Sequence, residues 1–301
     1  MKAAAESIAS PTVAAKSRFA VLSDLFKARL TTLVLLTTAA GFQMGQRGSM
    51  DWILFFHAMF GTGLLACGAS ALNQYLERNH DALMRRTEER PLPAGHLQPG
   101  TVLVLGAIAS AVGMIQLALT VNLVTSLLGA LTLGSYLFVY TPLKRITSLN
   151  TAIGAVPGAL PPLMGWTAVR GEITTEGWAL FAILFFWQLP HFLAIAWLYR
   201  DQYAKAGYVM LPVVDPGGGR TGRQAVSHTL GLLPVSLAPF IFKLAGTLYL
   251  AGALVLGVLF LLCAVQFART LSQAAARRLF LMSIIYLPLL LGLLAFDKLK
   301  Q

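Results

Sequence analysis

The chain reads as an all-α membrane protein with nine transmembrane helices, and three observations predict that class. Of its 301 residues, 56% are hydrophobic and 12% are charged, where an ordinary soluble domain is about 25% charged; mean hydropathy is +0.69. The apolar residues gather into runs of about 20, the length a helix needs to cross a hydrocarbon core roughly 30 Å thick. The basic residues collect in alternate connections between those runs, as cytoplasmic loops do.

Taken in order, the runs cover residues 30 to 46, 52 to 72, 101 to 120, 122 to 141, 150 to 168, 178 to 198, 226 to 243, 246 to 266 and 279 to 297. The third and fourth are nearly continuous, so the hairpin between them is the least sharply marked. With the N-terminus in the cytoplasm, the inside segments hold Lys2, Lys16, Arg18, Lys27 and Arg29, then Arg78, Arg85, Arg86 and Arg90, then Lys144 and Arg145. Arg200, Lys205, Arg220 and Arg223 follow, and finally Arg269, Arg277 and Arg278. Arg47, Arg170, Lys243, Lys298 and Lys300 remain outside. A net charge of +11 therefore needs no nucleic acid to explain it, since anionic lipid and an anionic substrate at the cytoplasmic face suffice.

Residues 1 to 29 mix Ala and Ser with scattered bases and read as a mobile cytoplasmic tail, while residues 30 to 297 form one transmembrane domain. Glu6, Asp24 and the short length of the tail disfavour a mitochondrial presequence. Cys67 and Cys263 fall within separate runs without metal-ligand spacing and read as packing residues. The two long inside loops, 73 to 100 and 199 to 225, follow the second and sixth runs, an offset of four helices that suggests two similar halves plus one extra helix. Pro91, Pro93 and Pro99 turn the first loop toward the third run. Pro216-Gly217-Gly218-Gly219 lacks the Gly-Lys-Ser/Thr ending of a phosphate-cradling loop and reads as a linker.

The chemistry gathers in those loops. If the chain from Asn73 to Asp81 stays helical, Asn73, Glu77 and Asp81 fall at i, i+4 and i+8 and line one face over roughly 12 Å. Two acids so placed repel unless a cation lies between them. Oxygen-only ligands with Arg85, Arg86 and Arg90 one to two turns away suit a hard cation such as Mg2+ carrying a phosphate-bearing substrate. In the second loop, Asp201 is placed to face Asp81 across a central cavity and complete an oxygen cage, with Lys205 close by; its bland alternative is an exposed charge at a helix end. Lys144 and Arg145 supply a third basic element, or a simple membrane anchor. His191, next to Pro190 and one turn beyond Trp187 and Gln188, is an ionisable group inside a span and so a functional candidate beside a packing one. Pro157, Pro161 and Pro162 with Gly154, Gly158 and Gly165 allow close packing of the fifth run.

These segments resemble a known family. Asn73-x3-Glu77-x3-Asp81 followed by Met84-Arg85-Arg86-Thr87 and Arg90-Pro91-Leu92-Pro93 is similar to the first aspartate-rich motif of the UbiA-type intramembrane prenyltransferases. Tyr140-x3-Lys144-Arg145, Gln188-x-Pro190-His191-Phe192 and Tyr199-Arg200-Asp201-x-Tyr203-x2-Ala206-Gly207-x2-Met210-Leu211-Pro212 are closest to the branch that farnesylates protohaem IX. The likeness runs over residues 20 to 297. It implies a nine-helix UbiA-type bundle around a cavity open sideways to lipid, in the inner membrane of a bacterial cell, with its active site on the cytoplasmic side. It further implies Mg2+ held by Asn73, Glu77, Asp81 and Asp201, with diphosphate bound by Arg85, Arg86, Arg90, Lys144, Arg145 and Lys205. His191 then completes the catalytic set near the haem or the reacting carbon. The partners to expect are farnesyl diphosphate, haem b and membrane lipid, with a haem A-forming enzyme or a terminal oxidase as the candidate recipient of the product. Gln202 and Lys205 stand where relatives tend to carry further acids, which puts a complete second metal cage in doubt. The alternatives are prenylation of another acceptor such as a quinone precursor, a cation-coupled transporter, and a passive oxidase assembly factor. Acids clustered at one membrane face disfavour the transporter, and an acid ladder beside five bases disfavours the assembly factor.

Overall fold

The computed structural model describes residues 16 to 299. Most of them are helical, and the one β-bridge among the described residues joins Ala245 to Lys298. In chain order the helices are α1 (Arg18–Leu25), α2 (Ala28–Gly45), α3 (Trp52–Asp81), α4 (Pro99–Thr120) and α5 (Leu123–Gly134). A π-helical stretch, Ser135–Tyr140, runs on from α5 into α6 (Thr141–Leu143). There follow α7 (Asn150–Arg170), α8 (Thr175–Leu198), α9 (Arg200–Lys205), α10 (Leu211–Val214), α11 (Gly219–Ile241), α12 (Thr247–Thr270) and α13 (Gln273–Phe296).

Eight of these elements are long and apolar enough to cross a membrane, counting α5 through α6 as one. The first predicted run, α2, is a helix of 18 residues in which Arg29, Gln43 and four threonines dilute the apolar character. It still lies against α7: a side chain at Gly41 would collide with Pro162 O, and one at Gly165 with Thr38 O. The weakly marked third hairpin is cut by Asn122, whose Oδ1 accepts from Thr125 N at 2.8 Å, capping the new helix in the usual way. Small residues bring α3 and α4 together, where a Cβ at Gly113 would lie 2.9 Å from Gly61 O. In lipid, such close backbone approach and interhelical hydrogen bonds hold helices together, because burial of apolar surface is no longer a driving force.

The sequence predicts a mobile tail over residues 1 to 29. Residues 1 to 15 lie outside the described residues, but 18 to 25 form α1, docked by Leu25 against Ala71, Leu92 and Val102. Gln74 Nε2 holds the end of that helix, donating to Asp24 O at 3.0 Å and Leu25 O at 2.7 Å. Lys27 then takes a left-handed conformation, φ +46°, which turns the chain into α2. A non-glycine residue there carries roughly 1 to 2 kcal/mol of steric strain, so its surroundings must hold it in place.

Buried hydroxyls tie the second half together. Tyr249 OH donates to Ser236 O at 2.7 Å, and Tyr286 OH lies 2.7 Å from Ser236 Oγ, so the buried phenols that join α11, α12 and α13 all have partners. Helix ends bearing Asp81, Lys144, Asn150 and Tyr199 converge at one end of the bundle, where Val209 N donates to Lys144 O at 2.7 Å and Asn150 Nδ2 to Val209 O at 3.0 Å.

Candidate active site

Helix α3 has no Gly or Pro after Gly68 until it ends, and it continues for 30 residues, past the predicted apolar run. Asn73, Glu77 and Asp81 therefore do share one face, and that face is buried: they are 1%, 5% and 1% exposed. Charges so enclosed are tolerated only when paired, and each finds a partner. Lys144 Nζ donates to Glu77 Oε1 at 2.7 Å, and Arg90 Nη1 to Asp81 Oδ2 at 2.6 Å. Asn73 Nδ2 donates to Glu77 Oε2 at 3.0 Å and to Thr141 Oγ1 at 3.2 Å. Lys27 Nζ donates to Asn73 Oδ1 at 2.8 Å.

Two acids thus face three cations, a surplus of positive charge that favours an anion. Burial and the neighbouring Arg90 guanidinium push the Lys27 amine down to about 7. Burial works against the Lys144 ammonium too, but Tyr140 and the Glu77 carboxylate hold it well above the usual lysine range. Tyr208 OH is buried without a hydrogen-bond partner, and burial and the Glu77 carboxylate raise its phenol, so it stays a neutral donor aimed into the site. The donor set consists of oxygens alone: two carboxylates and a carboxamide. Among the described residues no cluster of three or more His, Cys, Asp or Glu could hold a metal ion. That set fits Mg2+, which commonly binds through one or two carboxylates and takes its other ligands from substrate phosphates and water. It does not fit a softer ion.

The remaining candidates divide. Arg86 lines the cavity with Arg90 and Lys144; its Nη2 donates to Tyr203 OH at 3.1 Å, and its backbone N donates to Gln202 Oε1 at 3.2 Å. Arg85 and Lys205 are exposed and away from the cavity. Arg145 Nη1 donates to His80 Nε2 at 3.1 Å, while the other ring nitrogen of His80 meets Ala206 O at 3.1 Å; Arg145 ties loops together rather than facing the cavity. Asp201 corrects the sequence reading most clearly. Helix α8 breaks at Tyr199, φ −114° and ψ 19°, and α9 restarts with the Asp201 side chain 92% exposed, 3.8 Å from Arg200 Nε. The break turns Gln202 and Tyr203 inward in its place.

Below the polar end lies a cavity of about 490 Å3. Its walls run from Ser70, Ala66 and Thr62 on α3 across to His191 and Phe192 on α8 and Leu287 on α13. Leu30 and Leu33 of α2 and Ile284 of α13 line it while staying about half exposed, at 49%, 51% and 44%, so it opens sideways between those helices. Gly154 and Gly158 shape the α7 wall: side chains there would collide with the Tyr140 ring and with Gln188 Oε1. Sequence reasoning missed Lys27, Thr141 and Tyr208. In the sequence the first reads only as a tail charge; the other two stand beside Tyr140 and Gly207.

Comparison with known proteins agrees with this architecture. Residues 34–287 match the UbiA prenyltransferase family. The chain is 46% identical to the protoheme IX farnesyltransferase of Solibacter usitatus, over 91% of this chain and 97% of that protein. It is 43% identical to the protein of the same name from Koribacter versatilis, over 99% of each. Among solved structures, one of digeranylgeranylglyceryl phosphate synthase has a TM-score of 0.79 at 15% identity, covering 93% of this chain and 98% of that one. A UbiA homologue from Archaeoglobus fulgidus bound to GPP and Mg2+ has a TM-score of 0.64 at 14% identity, covering 91% and 99%.

Proposed function

The chain belongs to the UbiA prenyltransferase family, and from that premise we propose that it transfers the farnesyl group of farnesyl diphosphate to a vinyl group of haem b. Water adds in the same sequence, giving haem O and diphosphate. The observation that carries this reading is the buried ladder of Asn73, Glu77 and Asp81, matched by Lys27, Arg90 and Lys144, at the polar mouth of an apolar cavity open to lipid. The acceptor follows from the relatives named protoheme IX farnesyltransferase.

Asn73, Glu77 and Asp81 would hold Mg2+, as the A. fulgidus homologue bound to GPP and Mg2+ supports; Asp201 is left out of the set. Bound there, Mg2+ supplies charge neutralisation to the diphosphate oxygens. Lys27, Lys144, Arg90 and Arg86 are the side chains that stabilise diphosphate as the allylic C–O bond breaks, and Tyr208 offers it a neutral hydrogen bond. The farnesyl chain runs down the α3 wall past Ser70 and Ala66, away from bulk water. The Tyr140 face is taken by Lys144 Nζ at 4.6 Å, while the Tyr136 ring, stacked on Tyr140 at 5.8 Å, lines the cavity where its π face stabilises developing allylic positive charge. The vinyl carbon attacks C1 of the farnesyl cation, and water captures the cation left on the porphyrin side chain and loses a proton. The membrane arrangement of this proposal is nine helices, with α2 as the first, the N-terminus inside and the ladder on the cytoplasmic side of a bacterial inner membrane.

Purified protein in lipid, given haem b, farnesyl diphosphate and Mg2+, should yield a haem of greater mass and longer reversed-phase retention. Absence of that product, with prenylation of a quinone precursor in its place, would replace haem as the acceptor.

A further inference from the structure

The wall opposite the ladder carries a group the transfer chemistry just described leaves unused. His191 lies seven residues before the end of α8 and Asn73 eight before the end of α3. At 1.5 Å per residue they sit roughly 10 and 12 Å below the same polar end, so the imidazole lies across the cavity at the depth of Asn73, the deepest rung of the ladder.

The hydrogen bonds around His191 fix its tautomer. Ser283 Oγ lies 2.5 Å from Phe280 O and 2.7 Å from His191 Nδ1. A carbonyl only accepts and a hydroxyl has one hydrogen, so Ser283 donates to Phe280 O and must accept from Nδ1–H. A neutral imidazole protonated at Nδ1 carries a bare lone pair on Nε2. No partner for Nε2 occurs among the described residues, nor is it one of the fully enclosed unpartnered polar atoms; the ring lines the cavity, so Nε2 is open to it. The ring is also clamped. Trp187 stacks on it at 5.2 Å and 23°, and Phe280 packs at 5.1 Å and 32°. Trp187 is itself pinned by Nε1–H donating to Ser283 O at 2.8 Å. One serine thus orients two rings from α13, a degree of constraint a mere packing histidine does not require.

An imidazole held in one tautomer by a hydrogen bond at one nitrogen, with the other nitrogen free, is the arrangement of a metal-ligating histidine and its supporting residue. Resting on the proposal that the acceptor is haem b, we infer that His191 Nε2 donates its lone pair to the haem iron, with Ser283 as the positioning residue. The Nε2–Fe bond is the only bond formed, the iron keeps its oxidation state, and any water on that axial position leaves. Ligation anchors the porphyrin at the foot of the ladder, so that its vinyl edge reaches the allylic carbon.

The test is porphyrin binding by the full-length protein in lipid nanodiscs, read by visible and electron paramagnetic resonance spectra and by titration. Wild-type protein should give haem b a nitrogen-ligand spectrum. His191→Ala should lose it, bind haem b at least 10-fold more weakly, bind iron-free protoporphyrin IX as before, and regain the ligand spectrum with added imidazole. Ser283→Ala should keep the ligand but weaken haem affinity about 10-fold, the usual scale for loss of such a support, with Ser283→Thr close to wild type. An unchanged iron spectrum in His191→Ala, or equal loss of haem and iron-free porphyrin, overturns the assignment. Wild-type formation of farnesylated haem beside an unchanged His191→Ala spectrum overturns the ligand alone; wild-type protein that neither binds nor farnesylates haem overturns the proposed acceptor with it.

Discussion

The loops from 73 to 100 and from 199 to 225 carry similar residues at the same end of the bundle, yet they present them oppositely. In the first, α3 runs unbroken to Asp81, so its acids stay on the inner face and meet Lys144 and Arg90. In the second, α8 stops at Leu198 and α9 begins two residues later, which rotates Asp201 outward and Gln202 inward. The residue type at the end of a helix says less about its job than whether the helix continues through it. One loop carries buried acids; the other sets neutral side chains beside them, with Tyr203 and Tyr208 lining the cavity and Gln202 holding Arg86 N.

The sharpest way to break this comparison is to neutralise the first loop. Asp81→Asn or Glu77→Gln should lower turnover by at least about 10²-fold, the scale for losing a charge-stabilising group at a reacting centre. Haem product by chromatography measures it, and normal turnover in Asp81→Asn would refute the ladder's role. Chelation should likewise abolish activity, with Mg2+ restoring it. Because Lys144 and Arg90 pair with the acids, removing Mg2+ should leave the thermal midpoint nearly unchanged, unlike loss of a structural metal, which costs folding energy outright.

Much of this was legible in the sequence because hydropathy and basic-residue spacing report what lipid demands of a helix. The spacing of Asn73, Glu77 and Asp81 could be read as one face since nothing between them breaks a helix. Asp201 could not be placed, because the break at Tyr199 arises from how α9 and α10 pack, with Ala206, Tyr208 and Met210 gathered against Met84. Lys27 was invisible for a related reason: its left-handed turn depends on Gln74 gripping the end of α1, a contact across 49 residues or more. The count of spans meets its hardest case at α2, whose Arg29, Gln43 and threonines lower its hydropathy although its packing against α7 is tight.

The second loop should respond more mildly, in proportion to what each residue touches. Tyr208→Phe removes one buried donor beside the ladder and should cost about 10-fold in turnover, as a hydrogen bond to a charged group is worth ~1.5 kcal/mol or more. Gln202→Ala loses the bond to Arg86 N, and at roughly 1 kcal/mol for a neutral hydrogen bond should cost about fivefold, chiefly in the KM for farnesyl diphosphate because Arg86 is then less well placed.

Asp201→Asn should do least of all. Its side chain is 92% exposed and its pairing with Arg200 is long at 3.8 Å, so water already screens the charge, and surface substitutions of this kind stay within about 0.5 kcal/mol. Turnover, Mg2+ dependence and melting temperature should all stay within about twofold or a degree or two of wild type. The comparison between the loops depends on that outcome. A large fall in turnover for Asp201→Asn, with the Mg2+ requirement raised, would mean that α9 swings inward when substrate binds and brings its acid to the ladder. The two loops would then be equivalent halves of one clamp, and the neutral arrangement only its resting form.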